Sequence, residues 1–140
     1  MARPKIFYFW AMEKTIVNTK QAPSPIGPYN QAVMVNNMLF ISGQIAIVPS
    51  TGLIVNSDIV GETHQVMHNL KSLLTAANMD FQHVVKTTIF LTDMSLFATV
   101  NEIYGKYFTG EFPARETVAV KGLPRNANVE ISMIAVNPTS

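Results

Sequence analysis

Two charged side chains in the last third of the chain have the chemistry expected of a catalytic pair. Arg115 lies at the start of a strand predicted over residues 117–121, and Glu130 lies inside a strand predicted over residues 129–136. An arginine in such a place can bind a planar carboxylate or phosphate through two parallel hydrogen bonds. A carboxylate among apolar strand residues costs free energy unless it is paired, hydrogen-bonded or exposed. We therefore predict either a cationic anchor and an acidic partner that meet across adjacent strands, or two surface residues that face solvent.

Three residues further upstream are candidates for the lining of a cleft. Tyr29 lies in a loop at residues 21–31 that holds three prolines and a glycine, and such a stiff loop positions a side chain at little entropic cost. Ser42 and Gly43 follow a strand predicted at residues 38–41, where a glycine lets a ligand or another backbone approach closely. The alternatives are that Tyr29 covers the edge of the core with its hydroxyl in water and that Gly43 marks a bulge or a bend.

Two predicted helices carry the remaining polar residues of interest. The first, residues 58–78, has His64 and His68 four residues apart, a spacing that two metal ligands can share. The sequence between them lacks the glutamate of the zincin pattern and no third ligand is evident, so we predict ordinary histidines and no metal site. Asn101 lies on the second helix, residues 96–108, and its position alone predicts an exposed side chain.

The composition argues against several classes of function. The chain has 140 residues, 48% of them hydrophobic, which suits one domain that folds without staples. It has no cysteine, which removes disulfides and thiolate nucleophiles and favours a reducing compartment, the cytoplasm. A net charge of +1 without a basic block argues against nucleic acid as a partner. The apolar run at residues 6–10 is far shorter than a membrane span, and we predict no membrane association.

Residues 1–11 differ from the rest of the chain. They hold two basic residues and then a bulky aromatic run, and Met12, where a normal domain can begin, follows at once. We predict an N-terminal extension outside a single domain that covers residues 12–140. The alternative is an ordered extra strand or interface arm, because clustered aromatic side chains rarely stay exposed.

The order of predicted elements is strand, β-hairpin, helix, strand, helix, strand and strand. This order favours an α+β fold with both helices on one face of a mixed sheet. Asn36 and Asn37 form the predicted hairpin turn because asparagine tolerates positive φ. No segment is left to cover the second face of the sheet, and only 14% of the residues are charged. We therefore expect this face to be buried in a homotrimer.

Several separated motifs, in the same order along the chain, resemble those of the RidA/YjgF family. They extend from about Thr15 to Val136, which leaves only residues 1–11 and the last few residues outside the resemblance. The matching segments are residues 26–32 (IGPYNQA), 40–44 (FISGQ), 85–88 (VKTT), 97–104 (FATVNEIY), 113–115 (PAR), 118, 123–124 (LP) and 129–131 (VEI).

The resemblance implies a fold, an assembly and a reaction. The fold is that of the trimeric chorismate mutases, with a six-stranded sheet and two helices, and clefts between neighbouring chains are the sites. Members hydrolyse reactive 2-enamine and 2-imine acids, such as 2-aminoacrylate and 2-aminocrotonate, to 2-keto acids and ammonia without a cofactor. The alternatives are a non-enzymatic binder of 2-keto acids or similar carboxylates at the same cleft, and a ribonuclease or translation inhibitor.

The same resemblance implies roles for individual residues. Arg115 binds the substrate carboxylate, and Glu130 positions and deprotonates the attacking water. The residues assigned to substrate binding are Tyr29 from a neighbouring chain, Ser42, Gly43, Asn101 and Thr117. Two positions depart from the family pattern: Glu116 replaces a small residue, and Thr117 stands where many members carry a cysteine. Strand alternation predicts that Glu116 points away from the cleft.

Overall fold

The computed structural model describes residues 13–138, and the extension predicted at residues 1–11 lies outside them. Within this range the chain forms one mixed sheet of six strands and two α-helices. The strands are β1 (Lys14–Val17), β2 (Ala32–Val35), β3 (Met38–Gln44), β4 (Val84–Leu91), β5 (Ala114–Ala119) and β6 (Val129–Val136); the helices are α1 (Ile59–Ala76) and α2 (Phe97–Gly105). The predicted α+β class, the mixed sheet and the two helices are thereby confirmed.

The strand order in the sheet is β1-β2-β3-β6-β4-β5. Every neighbouring pair is antiparallel except β4 and β5, which are parallel and are connected through α2. β6 is therefore a central strand, whereas β5 lies at one edge. This order separates β5 from β6 by β4, which determines where Arg115 and Glu130 lie.

Local sequence signals set the ends of several elements. Asn36 adopts a φ of 54° in the tight turn between β2 and β3, as the asparagine pair predicts. Asp58 is the N-cap of α1, and its Oδ1 accepts a hydrogen bond from the Gly61 backbone N–H at 2.8 Å. Asp93 caps a short 3₁₀ turn, Met94–Leu96, that leads into α2. The second helix is therefore shorter than the predicted span of residues 96–108.

The segment after β3 corrects one sequence-based expectation. The apolar residues 45–48 predict that the strand continues after Gln44, yet this segment forms a single isolated bridge, between Ile47 and Ile54. The side-chain amide of Asn69, buried on α1, donates to the backbone carbonyls of Ile45 and Ile47 at 3.1 and 2.9 Å. Those carbonyls are satisfied by a helix side chain, and the segment runs along α1 instead of extending the sheet.

Both helices cover the same face of the sheet. In β6 the residues Val129, Ile131, Met133 and Ala135 are buried in the core that both helices share, and the alternate residues are partly exposed. On the opposite face the strands present apolar side chains to solvent in the single chain. Among them are Met38, Phe40 and Val118, each about two-fifths exposed (39%, 41% and 43%). The uncovered face expected from the sequence is therefore present, and the trimer stays a prediction.

A buried carboxylate connects α1 to the start of β6. Glu62 is fully buried in the first turn of α1 and accepts hydrogen bonds from Asn128 N at 2.6 Å, Asn128 Nδ2 at 2.9 Å and Val129 N at 3.2 Å. Backbone N–H groups at the start of β6 are thus satisfied by one side chain. Since Glu130 directly follows Val129, these hydrogen bonds hold the start of β6 and thereby the backbone position of Glu130.

We expect Glu62→Ala to lower the free energy of unfolding by about 2–4 kcal/mol, because it leaves buried N–H donors without an acceptor. The measurement is urea unfolding at pH 7 and one fixed protein concentration. Glu102→Ala, an exposed glutamate on α2, is the matched control and is expected to cost less than about 0.5 kcal/mol. A loss in Glu62→Ala no larger than that of the control would contradict the role of Glu62.

Candidate functional site

An open cavity of about 380 Å³ lies beside the carboxylate of Glu130. We call this cavity and its lining residues the Glu130 half-site, because Arg115 lies in a separate place, described below as the Arg115 half-site. The cavity lies where the proline-rich loop meets the end of β3. Tyr29, Ser42 and Gly43, three of the predicted site residues, line it together with Glu130. The structure therefore brings four of the seven predicted site residues together in one chain.

The Glu130 carboxylate occupies the space beside Gly43 in which a side chain would otherwise lie. A Cβ built on Gly43 would come within 2.8 Å of Glu130 Cδ and still closer to Oε2. The register between β3 and β6 shifts between Ile41 and Gln44, so Gly43 also lies in an irregularity of the ladder. This register shift agrees with the sequence-based alternative of a bulge or a bend. The group that approaches Gly43 is a side chain, and the approach of a ligand or another backbone stays a prediction.

A single buried amide organises the loop that carries Tyr29. Gln31 is 4% exposed; its Oε1 accepts from Thr19 N at 2.8 Å, and its Nε2 donates to the carbonyls of Thr19 and Pro23, both at 2.9 Å. The Ser42 hydroxyl donates to the Asn30 carbonyl at 2.6 Å and joins the loop to β3. Tyr29 itself is 46% exposed, and its hydroxyl accepts a hydrogen bond from Ile26 N at 3.2 Å, so the side chain lies against its own loop at the border of the cavity.

The environment of Glu130 favours the protonated carboxyl. Its side chain is half-buried on the face of the sheet away from the helices. Burial raises the pKa of Glu130 above the ordinary value of 4.5. A carboxylate with a raised pKa is a stronger base than an exposed one, which suits the removal of a proton from water.

The Arg115 half-site lies on the helix side of the sheet, at the edge formed by β5. Arg115 Nη1 donates to Asn101 Oδ1 at 2.7 Å. The guanidinium Cζ lies 5.7 Å from the Phe97 ring centroid and 5.2 Å from the Tyr104 ring centroid. A second cavity, of about 430 Å³, opens beside these groups and is also lined by Phe112. Asn101 is exposed, as its position in the sequence predicted, and it also contacts the arginine.

The expectation that Arg115 and Glu130 meet across adjacent strands is wrong. Arg115 is opposite Thr87 of β4, and Glu130 is opposite Phe90 of the same strand, so their two strands lie on either side of β4, about 9–10 Å apart. Thr87 and Phe90 are three residues apart and point to opposite faces. Because residues directly opposite each other share a face, Arg115 and Glu130 point to opposite sides of one sheet. A single chain therefore holds two half-sites and no complete pair.

The two departures from the family pattern lie on opposite faces of β5. Glu116 points away from Arg115: it accepts a hydrogen bond from Thr88 Oγ1 at 2.6 Å and pairs with Lys86 Nζ at 3.2 Å. These contacts, the Thr88 bond first, lower the pKa of Glu116. Thr117 lies on the side of Arg115, and its buried Oγ1 has no hydrogen-bond partner among residues 13–138. The Thr117 hydroxyl is therefore a buried polar group on the face of Arg115 that no residue in this range satisfies.

The two helix histidines have local partners. His64 Nδ1 lies 2.6 Å from the Tyr107 hydroxyl, and the His68 ring packs edge-on against the Tyr107 ring. Burial is the first cause of a lowered His68 pKa, followed by the charges of His64 and Lys71.

Residues 13–138 contain no group of three side chains able to hold a metal ion. No helix in that range has the length and apolar character of a membrane-crossing segment.

Sequence reasoning missed the residues that hold the half-sites in place. Gln31, Phe97 and Tyr104 were not among the predicted site residues. The signal for Tyr104 and Phe97 was present, since residues 97, 101 and 104 share one face of a helix by their spacing. Gln31 lies in the matching segment 26–32, but the sequence did not predict its role, because its partners are carbonyl and amide groups of a loop whose path was unknown.

Comparison with known proteins gives a consistent assignment. The sequence model of the family described as Endoribonuclease L-PSP matches residues 19–137. The chain is 52% identical to protein DfrA of Myxococcus xanthus over 128 residues, which cover 90% of this chain and 98% of that protein. It is 49% identical over 123 residues to the mouse protein named 2-iminobutanoate/2-iminopropanoate deaminase, covering 88% of this chain and 91% of the relative.

A solved structure supports the fold independently. A Yersinia pestis protein of the conserved Rid family, YyfA, described as of unknown function, superposes with a TM-score of 0.87 at 48% identity. The match covers 89% of this chain and all (100%) of that one. Family model, sequence relatives and structural neighbour agree over nearly the whole described range. The chain therefore belongs to the RidA/YjgF family, the family whose sequence model is described as Endoribonuclease L-PSP.

Proposed function

We propose that this protein hydrolyses 2-imino acids and their 2-enamine tautomers to 2-keto acids and ammonia, with 2-aminoacrylate and 2-aminocrotonate as the expected substrates. The observation that carries the proposal is the half-buried Glu130 carboxylate, packed on Gly43 beside an open cavity. A protein that only binds carboxylates gains nothing from a second anion there. The deaminase name of the mouse relative supports the same reaction.

Arg115 is the proposed anchor for the substrate carboxylate. One of its N–H groups donates to Asn101, and the others stay available for a bidentate bond to a carboxylate. The orphan hydroxyl of Thr117 supplies a further donor on the same face. Together these groups place the substrate's C1 carboxylate and leave the adjacent C2, the imine carbon, directed away from the guanidinium.

Glu130 is the proposed general base. The carbon of an imine protonated at nitrogen is already electrophilic. The reaction therefore requires no covalent nucleophile, and we expect no cofactor. Water adds to C2 while its proton passes to the Glu130 carboxylate, which forms a tetrahedral carbinolamine. The same carboxyl group gives this proton to the nitrogen and then takes the proton of the carbinolamine hydroxyl as the C–N bond breaks and the C=O bond of the 2-keto acid forms. The departing ammonia carries that last proton away as ammonium, which restores the Glu130 carboxylate. Tyr29, Ser42 and Gly43 are proposed to surround the reacting atoms.

A homotrimer is the proposed active assembly, because the two half-sites of one chain cannot reach each other. Packing of the uncovered sheet faces would bury the exposed Phe40 and Met38. The Glu130 half-site of one chain, including its Tyr29, would then meet the Arg115 half-site of its neighbour.

The cytoplasm stays the predicted compartment, on the absence of cysteine. RNA is not among the proposed substrates, since the net charge is +1 and the sequence has no basic block.

The first test follows keto-acid release while a pyridoxal-phosphate-dependent threonine or serine dehydratase supplies the imine. Arg115→Ala is expected to raise KM about 10- to 100-fold, because it removes a bond present in both ground and transition states. Glu130→Gln is expected to lower kcat about 10²- to 10⁴-fold, because the amide cannot accept the proton. Glu102→Gln is the control and keeps full activity. No acceleration by a folded wild-type trimer would remove the deaminase assignment, and calorimetry with 2-ketobutyrate would then test a keto-acid binder.

Mixed trimers test the shared site directly. Arg115→Ala and Glu130→Gln chains are unfolded together in equal amounts, refolded and assayed. If each site takes Arg115 from one chain and Glu130 from the next, random assembly restores roughly one quarter of the wild-type sites. Each variant refolded alone is the control, and at a substrate concentration well below the wild-type KM it is expected to retain at most about one tenth of the wild-type rate. Mixtures as inactive as the single variants would place both residues of a site on one chain and contradict the two-chain arrangement.

The raised pKa of Glu130 predicts a pH dependence of stability. The folded chain binds this proton more tightly than the unfolded chain, so the free energy of unfolding falls as pH rises from about 4.5 through the raised pKa. Glu130→Gln removes the ionisable carboxyl and with it this loss of stability. We expect the substitution to raise the free energy of unfolding by more at pH 7 than at pH 4. The comparison uses an Arg115→Ala background at one protein concentration, because a neighbour's guanidinium would lower the pKa of the carboxyl. An equal gain at both pH values would contradict the burial effect.

A further inference from the structure

The Arg115 guanidinium lies against two aromatic rings that belong to the same helix as its hydrogen-bond partner. Phe97, Asn101 and Tyr104 follow one another at four- and three-residue steps and form one face of α2. The two ring centroids lie 5.7 and 5.2 Å from Cζ, within the range of a cation–π contact. Three side chains of one helix therefore define the orientation of this guanidinium.

Tyr104 is itself fixed by the strand that adjoins Arg115. Its hydroxyl donates to Thr87 Oγ1 at 3.0 Å, and the two residues are 3% and 0% exposed. Burial is the main cause of a raised Tyr104 pKa, which keeps the phenol protonated and able to donate. Thr87 lies directly opposite Arg115 in the pairing of β4 with β5. The Tyr104 ring is thus tied to the same strand pair that carries the Arg115 backbone.

We infer that Tyr104 is a positioning residue: its ring, anchored through Thr87, holds the Arg115 guanidinium in the orientation that binds a carboxylate. This inference rests on the proposed role of Arg115 as the carboxylate anchor. A free arginine loses much rotamer freedom when it binds a ligand. An arginine already held against an aromatic ring has lost part of that freedom before the ligand arrives, so the ligand binds more tightly.

The alternative is that Tyr104 only fills the core. Its ring also packs against Phe108, with 4.8 Å between the centroids, so removal of the ring costs stability in either case. Tyr107 supplies a matched control from the same stretch of chain. Its ring packs against Phe81 and its hydroxyl contacts His64, so Tyr107→Leu removes a similar ring on a different side.

The experiment compares Tyr104→Leu, Tyr104→Phe and Tyr107→Leu with wild type in three measurements. Calorimetry gives the Kd of 2-ketobutyrate, the coupled assay gives kcat and KM separately, and ¹⁵N relaxation of the Arg115 Nε–H signal reports the mobility of the guanidinium. Loss of one signal in Arg115→Lys assigns it, because the only other arginines are Arg3 and Arg125. Circular dichroism confirms that each variant is folded before it is compared.

Tyr104→Leu is expected to weaken 2-ketobutyrate binding and to raise KM about 5- to 30-fold, with kcat within about twofold of wild type, the size of a lost cation–π contact. The Arg115 Nε–H becomes more mobile in the same variant. Tyr104→Phe keeps the ring but loses the hydrogen bond to Thr87, and its Kd is expected to lie between those of wild type and Tyr104→Leu. Tyr107→Leu leaves both the Kd and the Arg115 signal unchanged.

Two results would overturn the inference. One is a folded Tyr104→Leu whose Kd and Arg115 mobility match those of Tyr107→Leu; the other is a loss confined to kcat. If wild type binds 2-ketobutyrate but hydrolyses no imine, the deaminase proposal fails, and the Kd values alone support or overturn the role of Tyr104. If wild type binds no keto acid, the anchor role of Arg115 fails, and the proposed role of Tyr104 fails with it whatever the mobility data show.

Discussion

The alternation of side chains along a β-strand is the constraint on which this structure depends. Every second residue of β6 enters the core beneath the helices, and the residues between them face the other way. Glu130 belongs to the second set, so its carboxylate reaches a cavity without crossing the core. Arg115 belongs to the helix side, where α2 holds its guanidinium. One periodicity of two residues therefore builds the core and divides the polar site into halves.

Buried polar side chains hold the irregular segments around those halves. Glu62 fixes the start of β6, Gln31 fixes the proline-rich loop, and Asn69 fixes the segment after β3. Each forms hydrogen bonds to backbone groups in loops or at a strand end, and truncation of its side chain would remove them. The loop that borders the Glu130 cavity is therefore held by side-chain hydrogen bonds, which suits the placement of a water molecule.

The two half-sites also differ in their chemistry. The Glu130 half has a carboxylate whose pKa is raised by burial, and the Arg115 half has a permanent cation held against aromatic rings. The cationic anchor and the proposed base are thus kept apart in the single chain. A direct ion pair between them would lower the pKa of Glu130 and occupy the guanidinium. In the proposed assembly a substrate carboxylate and imine carbon bridge the two halves, so ligand and neighbouring chain complete the site together.

The sequence by itself determined the α+β class, the hairpin turn at Asn36, the cap at Asp58 and the choice of Arg115 and Glu130 as the chemically interesting pair. These features follow from local periodicity, turn chemistry and the cost of a charge in an apolar strand. Tertiary structure alone decided that β4 lies between β5 and β6, which placed the pair on opposite faces. Strand order depends on which apolar surfaces pack together across the whole chain, and no local pattern encodes it. The same holds for Tyr104, whose role depends on a threonine in another strand.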